Sequence, residues 1–187
     1  ALSAVDDSLG RLTNWLKANN LEDDTAVILM GDNGFMFGEH DLIDKRNVYE
    51  ESMRVPLVAS IPGAKQNHVV EEMAANIDMS PTILKSSGIN EKPPQFAGAS
   101  LLPLAAGKKV ADWRDTLLYE YYWEFNFPST PTTFAVRSND FKLIQYHGIW
   151  DTDELYDIKN DPKEMHNLID NPEYLAVKIK LRKALFE

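Results

Sequence analysis

Cysteine is missing from all 187 residues. Its absence excludes disulfide staples and thiolate metal sites, without identifying a compartment. No apolar run reaches the roughly 20 residues that a membrane-spanning helix needs. The first residues also lack a basic-then-apolar targeting pattern. Basic residues are in short supply, 19 Lys and Arg against 29 Asp and Glu, for a formal net charge of -10. That field argues against nucleic acid or an anionic membrane as the main partner. Internal repeats and low-complexity tracts are absent too. What is present is 44% hydrophobic residues, enough for one core with a small second layer in a chain of this length.

The chain is organised around Thr25 to Leu57. Ala26-Val27-Ile28-Leu29-Met30 has the length and character of a buried strand, and Gly31-Asp32-Asn33-Gly34 follows at its carboxyl end. In an open α/β sheet, ligands bind outside the carboxyl ends of the strands. Two adjacent oxygen-bearing side chains between glycines suit a hard cation. Asp-Asn-Gly is equally common turn chemistry, and those four residues alone favour the turn.

The residues that follow shift the balance. Gly38-Glu39-His40, Asp44-Lys45-Arg46, Tyr49-Glu50-Glu51-Ser52 and Arg54-Val55-Pro56-Leu57 come in order, then Ala75 to Leu84 and Gly98 to Leu104. Ala135-Val136-Arg137, Phe141 to Ile144, Glu154 to Asp157, Asp161-Pro162, Glu164 and Asn167-Leu168 continue the series. This succession resembles the C-terminal half of a type I sulfatase, within the alkaline phosphatase superfamily. The resemblance implies an α/β fold, the C-terminal portion of an alkaline-phosphatase-like sulfatase domain. Residues 1–112 would complete that catalytic domain, and residues 113–187 would form a small antiparallel sheet with a C-terminal helix.

It also implies chemistry. Asp32 and Asn33 would be two ligands of a divalent cation, calcium rather than magnesium by family habit. Lys45 would contact the sulfate group, where its ammonium can stabilise charge on the leaving oxygen; in isolation a lysine reads as a solvated surface residue. His40 would hydrogen-bond near the sulfate, or serve as a structural histidine beside it. The nucleophile of such enzymes is a formylglycine made from a C/S-x-P-x-R motif. Neither Ser80-Pro81 nor Ser129-Thr130-Pro131 supplies it. The expectation is therefore a C-terminal piece of a longer sulfate ester hydrolase, inactive alone, acting on a sulfated small molecule or glycan. Family habit favours a periplasmic or secreted setting. A phosphate or phosphonate ester hydrolase of the same superfamily stays open, as does a non-catalytic domain that binds a glycan or a protein.

Local patterns complete the picture. Val5, Leu9, Leu12 and Leu16 make one helical face, with Asn19-Asn20 as a stop. Pro56 to Ile61 reads as a second strand, Val69 to Met73 as an extended edge segment, and Ser80-Pro81 as the start of a helix ending near Gly88. Strands are expected at Leu117–Trp123, Thr133–Arg137, Lys142–Tyr146 and Glu154–Tyr156, with a hairpin at Ser138-Asn139-Asp140. A last helix, Pro172 to Phe186, would pack on that sheet as an amphipathic helix, with Leu175 and Ile179 in its apolar pattern and Arg182-Lys183 in a basic last turn. Arg46 is expected to pair with Glu50 or Glu51, and Arg54 to make an ion pair or bind carbonyls beneath the site. The run Tyr119 to Phe125 reads as a packed strand or a sugar-stacking surface, with His147 and Trp150 as a pocket wall. Strand Ala26–Met30 would want parallel neighbours, and without them the chain would self-associate.

Overall fold

The computed structural model describes residues 2–91, 93–148 and 151–186. In chain order the elements are α1 (Leu2–Ala18), β1 (Val27–Met30), β2 (Met36–Phe37), β3 (Ile43–Asp44), α2 (Glu50–Met53) and β4 (Leu57–Ser60). They continue with α3 (Met79–Ser86), α4 (Leu102–Ala105), β5 (Thr116–Tyr121), β6 (Thr133–Ser138), β7 (Phe141–Tyr146), β8 (Glu154–Asp157) and α5 (Leu175–Phe186). The chain divides into two compact units, each made of three segments. One holds Ala1–Met30, Leu57–Val70 and Ile77–Val110; the other holds Gly31–Pro56, Glu71–Asn76 and Ala111–Glu187.

In the first unit α1 ends where Asn20 takes a left-handed conformation, φ 56°. Leu9 and Leu16 line a shallow apolar hollow with Val27, Leu29 and Val58. Leu16 is the buried residue of this helix, whereas Val5, Leu12 and Trp15 stay exposed. The parallel neighbours expected for β1 are not what pairs with it. β1 runs antiparallel to β4, with Val27 opposite Ser60 and Met30 opposite Leu57. An apolar run calls for a partner, but its direction is set by where the chain returns.

α3 also starts differently from expectation. Asp78, not Ser80, stands at its N-cap position, and Ser80-Pro81 lie inside its first turn. Asp78 is buried and its Oδ1 accepts the Ala99 N–H at 2.8 Å. Thr82 Oγ1 donates to Asp78 O and accepts from Leu101 N–H. The helix start is therefore chosen by its bond to the Gly98–Leu101 loop, a contact that local capping signals do not encode.

The second unit is built on one antiparallel sheet in the order β5-β6-β7-β8. Ser138 Oγ bonds both the N–H and the carbonyl of Phe141, which closes the expected hairpin. Side chains alternate across the sheet. Val136, Leu143 and Leu155 pack with Ile169 and Leu181. Ala135, Ile144 and Tyr156 pack on the opposite face with Met36, Val48 and Tyr49. That second cluster seats residues 31–56 on the sheet. α5 corrects another expectation: Leu175 and Ile179 are 55% and 60% exposed, and Leu181, Val177 and Leu185 face the core instead. Val69–Met73 is not a strand; Met73 is buried and its carbonyl accepts Trp113 Nε1 at 2.9 Å.

Candidate active site

β1 ends one residue before Gly31, so Asp32 and Asn33 open the segment that crosses the sheet. The short turn of α2 holds this segment in place. Gly34 N–H donates to Ser52 O at 2.8 Å, and Phe35 N–H donates to Glu51 O at 3.0 Å. Ser52 Oγ donates to Lys45 O at 2.6 Å. The approach at Gly34 leaves no room for a side chain, because a Cβ there would lie 2.0 Å from Glu51 O. Gly34→Ala should therefore cost roughly 1–3 kcal/mol of stability or more. Urea unfolding reads this directly, and an unchanged midpoint would show that the loop is not clamped.

Within that frame Lys45 Nζ donates to Asn33 Oδ1 at 3.1 Å. Asn33 Nδ2 donates to Gly34 O, and Asp32 Oδ1 accepts the Asn33 N–H. Asn76 Nδ2 donates to Asp32 O at 2.6 Å, fixing the backbone from the other side. Asp32, Asn33 and Lys45 are all exposed. The sequence-derived pair and the lysine thus share one patch.

The donor set suits a hard cation in kind. Asp32 brings a carboxylate whose second oxygen takes no hydrogen bond from the described residues, and Asn33 turns its amide oxygen toward positive charge. Calcium seeks six to eight oxygens, so these two side chains are part of a shell. Among the described residues no group of three or more His, Cys, Asp or Glu gathers to hold a metal.

His40 has a left-handed backbone, φ 53°, and its ring lies flat on Tyr49, centroids 3.8 Å apart. No hydrogen bond among the described residues joins it to Asp32, Asn33 or Lys45. Tyr49 is itself tethered, because its hydroxyl and those of Tyr146 and Tyr156 all donate to the Glu154 carboxylate. Burial, and then the Glu154 charge, pushes the Tyr49 phenol up to about 12. The same causes raise Tyr146 and Tyr156, so all three remain protonated donors at neutral pH.

Arg46 does not pair with Glu50 or Glu51. It pairs with Asp44 and Glu124, and its guanidinium sits over the Phe127 ring, 3.3 Å from the centroid. Arg54 is exposed and makes no ion pair among the described residues. Trp123 and Phe125 are exposed, while Tyr119 packs against the core beside Met36 and Ile144. His147 is exposed next to Gly148, and Trp150 lies outside the described residues.

A charge cluster that sequence reading missed lies under α2. Lys142 is fully buried, with Nζ 2.9 Å from Glu50 Oε1, 2.8 Å from Glu164 Oε1 and 2.7 Å from Val48 O. Arg137 adds a second cation to Glu50, and Glu164 Oε2 accepts the Glu50 N–H at 2.7 Å. Burial raises both carboxyls, but Lys142 and Arg137 together bring Glu50 below its ordinary value. For Glu164 burial outweighs the Lys142 ammonium and the Glu50 N–H, and its carboxyl stays raised. Glu50 lies between 87 and 114 residues from Arg137, Lys142 and Glu164, and no local signal announces the pairing.

Comparison with known proteins settles the lineage. Residues 38–187 match the family described as N-sulphoglucosamine sulphohydrolase, C-terminal. The chain belongs to this sulfatase family. It is 38% identical over 187 residues to an N-acetylglucosamine-6-O-sulfatase of Bacteroides thetaiotaomicron, covering 98% of this chain and 33% of that protein. Human N-acetylglucosamine-6-sulfatase is 37% identical over 132 residues, 70% of this chain and 24% of the relative. A solved structure holding its substrate D-glucosamine-2-N,6-O-disulfate superposes with a TM-score of 0.91 at 37% identity, over 98% of this chain and 38% of that one. The phosphonate monoester hydrolase of Agrobacterium radiobacter superposes at 0.85 with 26% identity, over 98% and 38%. The chain spans about a quarter to a third of the length of these curated relatives. Its fold is the alkaline-phosphatase-like α/β fold, with small antiparallel sheets and a C-terminal helix.

Proposed function

We propose that this chain forms part of a sulfuric ester hydrolase acting on a sulfated amino sugar, with Lys45 contacting the sulfate. The observation that carries this reading is the 3.1 Å contact between Lys45 Nζ and Asn33 Oδ1, in a chain whose relatives include N-acetylglucosamine-6-sulfatases. The Lys45 ammonium holds a sulfate oxygen and neutralises charge on the departing ester oxygen. Asp32 and Asn33 would hold a divalent cation, which would supply Lewis acidity to the sulfate. His40, stacked on Tyr49, borders the same segment and donates to the substrate from that fixed ring position. The formylglycine of type I sulfatases has no precursor motif in these residues, so this chain contributes the charge-neutralising side of the site.

Phosphate-type esters are the second reading, favoured by the phosphonate monoester hydrolase neighbours. The whole protein, given D-glucosamine-2-N,6-O-disulfate and a phenylphosphonate monoester in parallel, separates the two. Sulfate release at the higher kcat/KM supports the proposal, and phosphonate turnover alone overturns it. Asp32→Asn should weaken calcium binding roughly tenfold or more, because site charge sets affinity. Calorimetric titration of metal-stripped protein measures it; unchanged affinity would remove Asp32 from the ligand set.

A further inference from the structure

We propose that Ser52 is the positioning residue that sets Lys45 against Asn33, an inference that rests on the sulfatase reading of the site. Ser52 is 3% exposed. Its carbonyl accepts the N–H of Gly34, the residue after Asn33, at 2.8 Å. Its hydroxyl donates to the carbonyl of Lys45 itself at 2.6 Å. One side chain and one peptide thus bond to both segments that carry the polar pair.

The anchor beneath Ser52 is rigid. Ser52 N–H and Met53 N–H both donate to Tyr49 O, at 2.9 and 3.0 Å. Glu50, two residues earlier, is gripped by Lys142, Arg137 and Glu164. A line of ordered contacts therefore runs from the β-sheet through α2 to the Lys45 backbone. Lys45 needs it, because β3 stops at Asp44 and ladder bonds end there. An exposed lysine on a loose backbone spreads its ammonium over many positions. Transition-state charge is then met less often, while ground-state binding changes little.

The test is a four-protein cycle in the whole enzyme: wild type, Ser52→Ala, Lys45→Ala and the double variant, assayed with p-nitrophenyl sulfate. Ser52→Ala is expected to lower kcat roughly ten- to hundredfold, the scale of a small misplacement. KM should move by less than about twofold, as expected when an interaction made only in the transition state is lost. Calcium affinity, titrated without substrate, should be unchanged, since the Gly34–Ser52 backbone bond survives. In the Lys45→Ala background the Ser52 substitution should have no further effect. Equal loss of kcat in both backgrounds, or calcium affinity falling in step, overturns the proposal and makes Ser52 merely structural. So does an unchanged kcat in a Ser52→Ala protein whose Tm matches the wild type. Full kcat in Lys45→Ala would instead remove Lys45 from the proposed chemistry, and overturn this inference with it.

Discussion

Lys45→Ala in the whole enzyme should lower kcat for sulfate release by roughly 10²- to 10³-fold, the scale of losing one electrostatic stabiliser of developing charge. The fold should hardly notice. Lys45 is exposed and, among the described residues, its ammonium makes a single hydrogen bond, to Asn33. Its backbone bonds, to Asp44 Oδ1 through N–H and to Ser52 Oγ through the carbonyl, survive the truncation. Tm should therefore stay within a degree or two of wild type, since surface substitutions rarely exceed about 0.5 kcal/mol. Lys45→Arg should recover only part of the rate, because a planar fork cannot present a compact point charge at the same spot. Initial rates across a sulfate ester series measure the effect. A kcat equal to wild type would remove Lys45 from the chemistry.

Lys142→Met should have the largest effect on stability, roughly 3–5 kcal/mol, the cost of leaving buried charges without their partner. Methionine fills much of the lysine volume, so the loss is electrostatic rather than a cavity. In the wild type the two carboxyls act in opposite directions. Glu50 is held below 4.5, so its contribution is present above that value and is lost as pH falls through its folded pKa. Glu164 is raised above 4.5, so the native state holds its proton more tightly, and stability declines as pH rises through that window. Without Lys142 both carboxyls move up. The deficit of the variant should then widen between about pH 5 and about pH 8 as the buried pair is forced to ionise. Chemical denaturation at both ends of that range measures it. A deficit independent of pH would mean that the ammonium contributes packing alone.

The same cluster shows why part of the site was hidden. Asp32, Asn33 and Lys45 could be read because they follow a strand and stand in a fixed succession with Gly34 and Tyr49. Ser52 and Glu50 stand in that succession too, but their function depends on what they touch. Ser52 meets Lys45 across a turn, and Glu50 meets Lys142 from β7, 92 residues further along the chain, where a lysine within a strand reads as a solvated position. His40 stands in that succession as well, beside Gly38 and Glu39, but only the structure shows that its ring is held flat against Tyr49.

By itself the sequence determined what periodicity and local turn chemistry can carry: four strands and a hairpin in the second half, α1 and its stop, and the order of polar landmarks after Met30. Tertiary structure alone decided which faces and directions were used. Val177 and Leu181 are spaced four apart, as are Leu175 and Ile179, and only packing on Val136 and Leu143 tells which pair turns inward. β1 could have paired either way until the chain returned at Leu57. Spacing along a chain limits which residues share a side, whereas burial and ion pairing depend on partners far away in sequence.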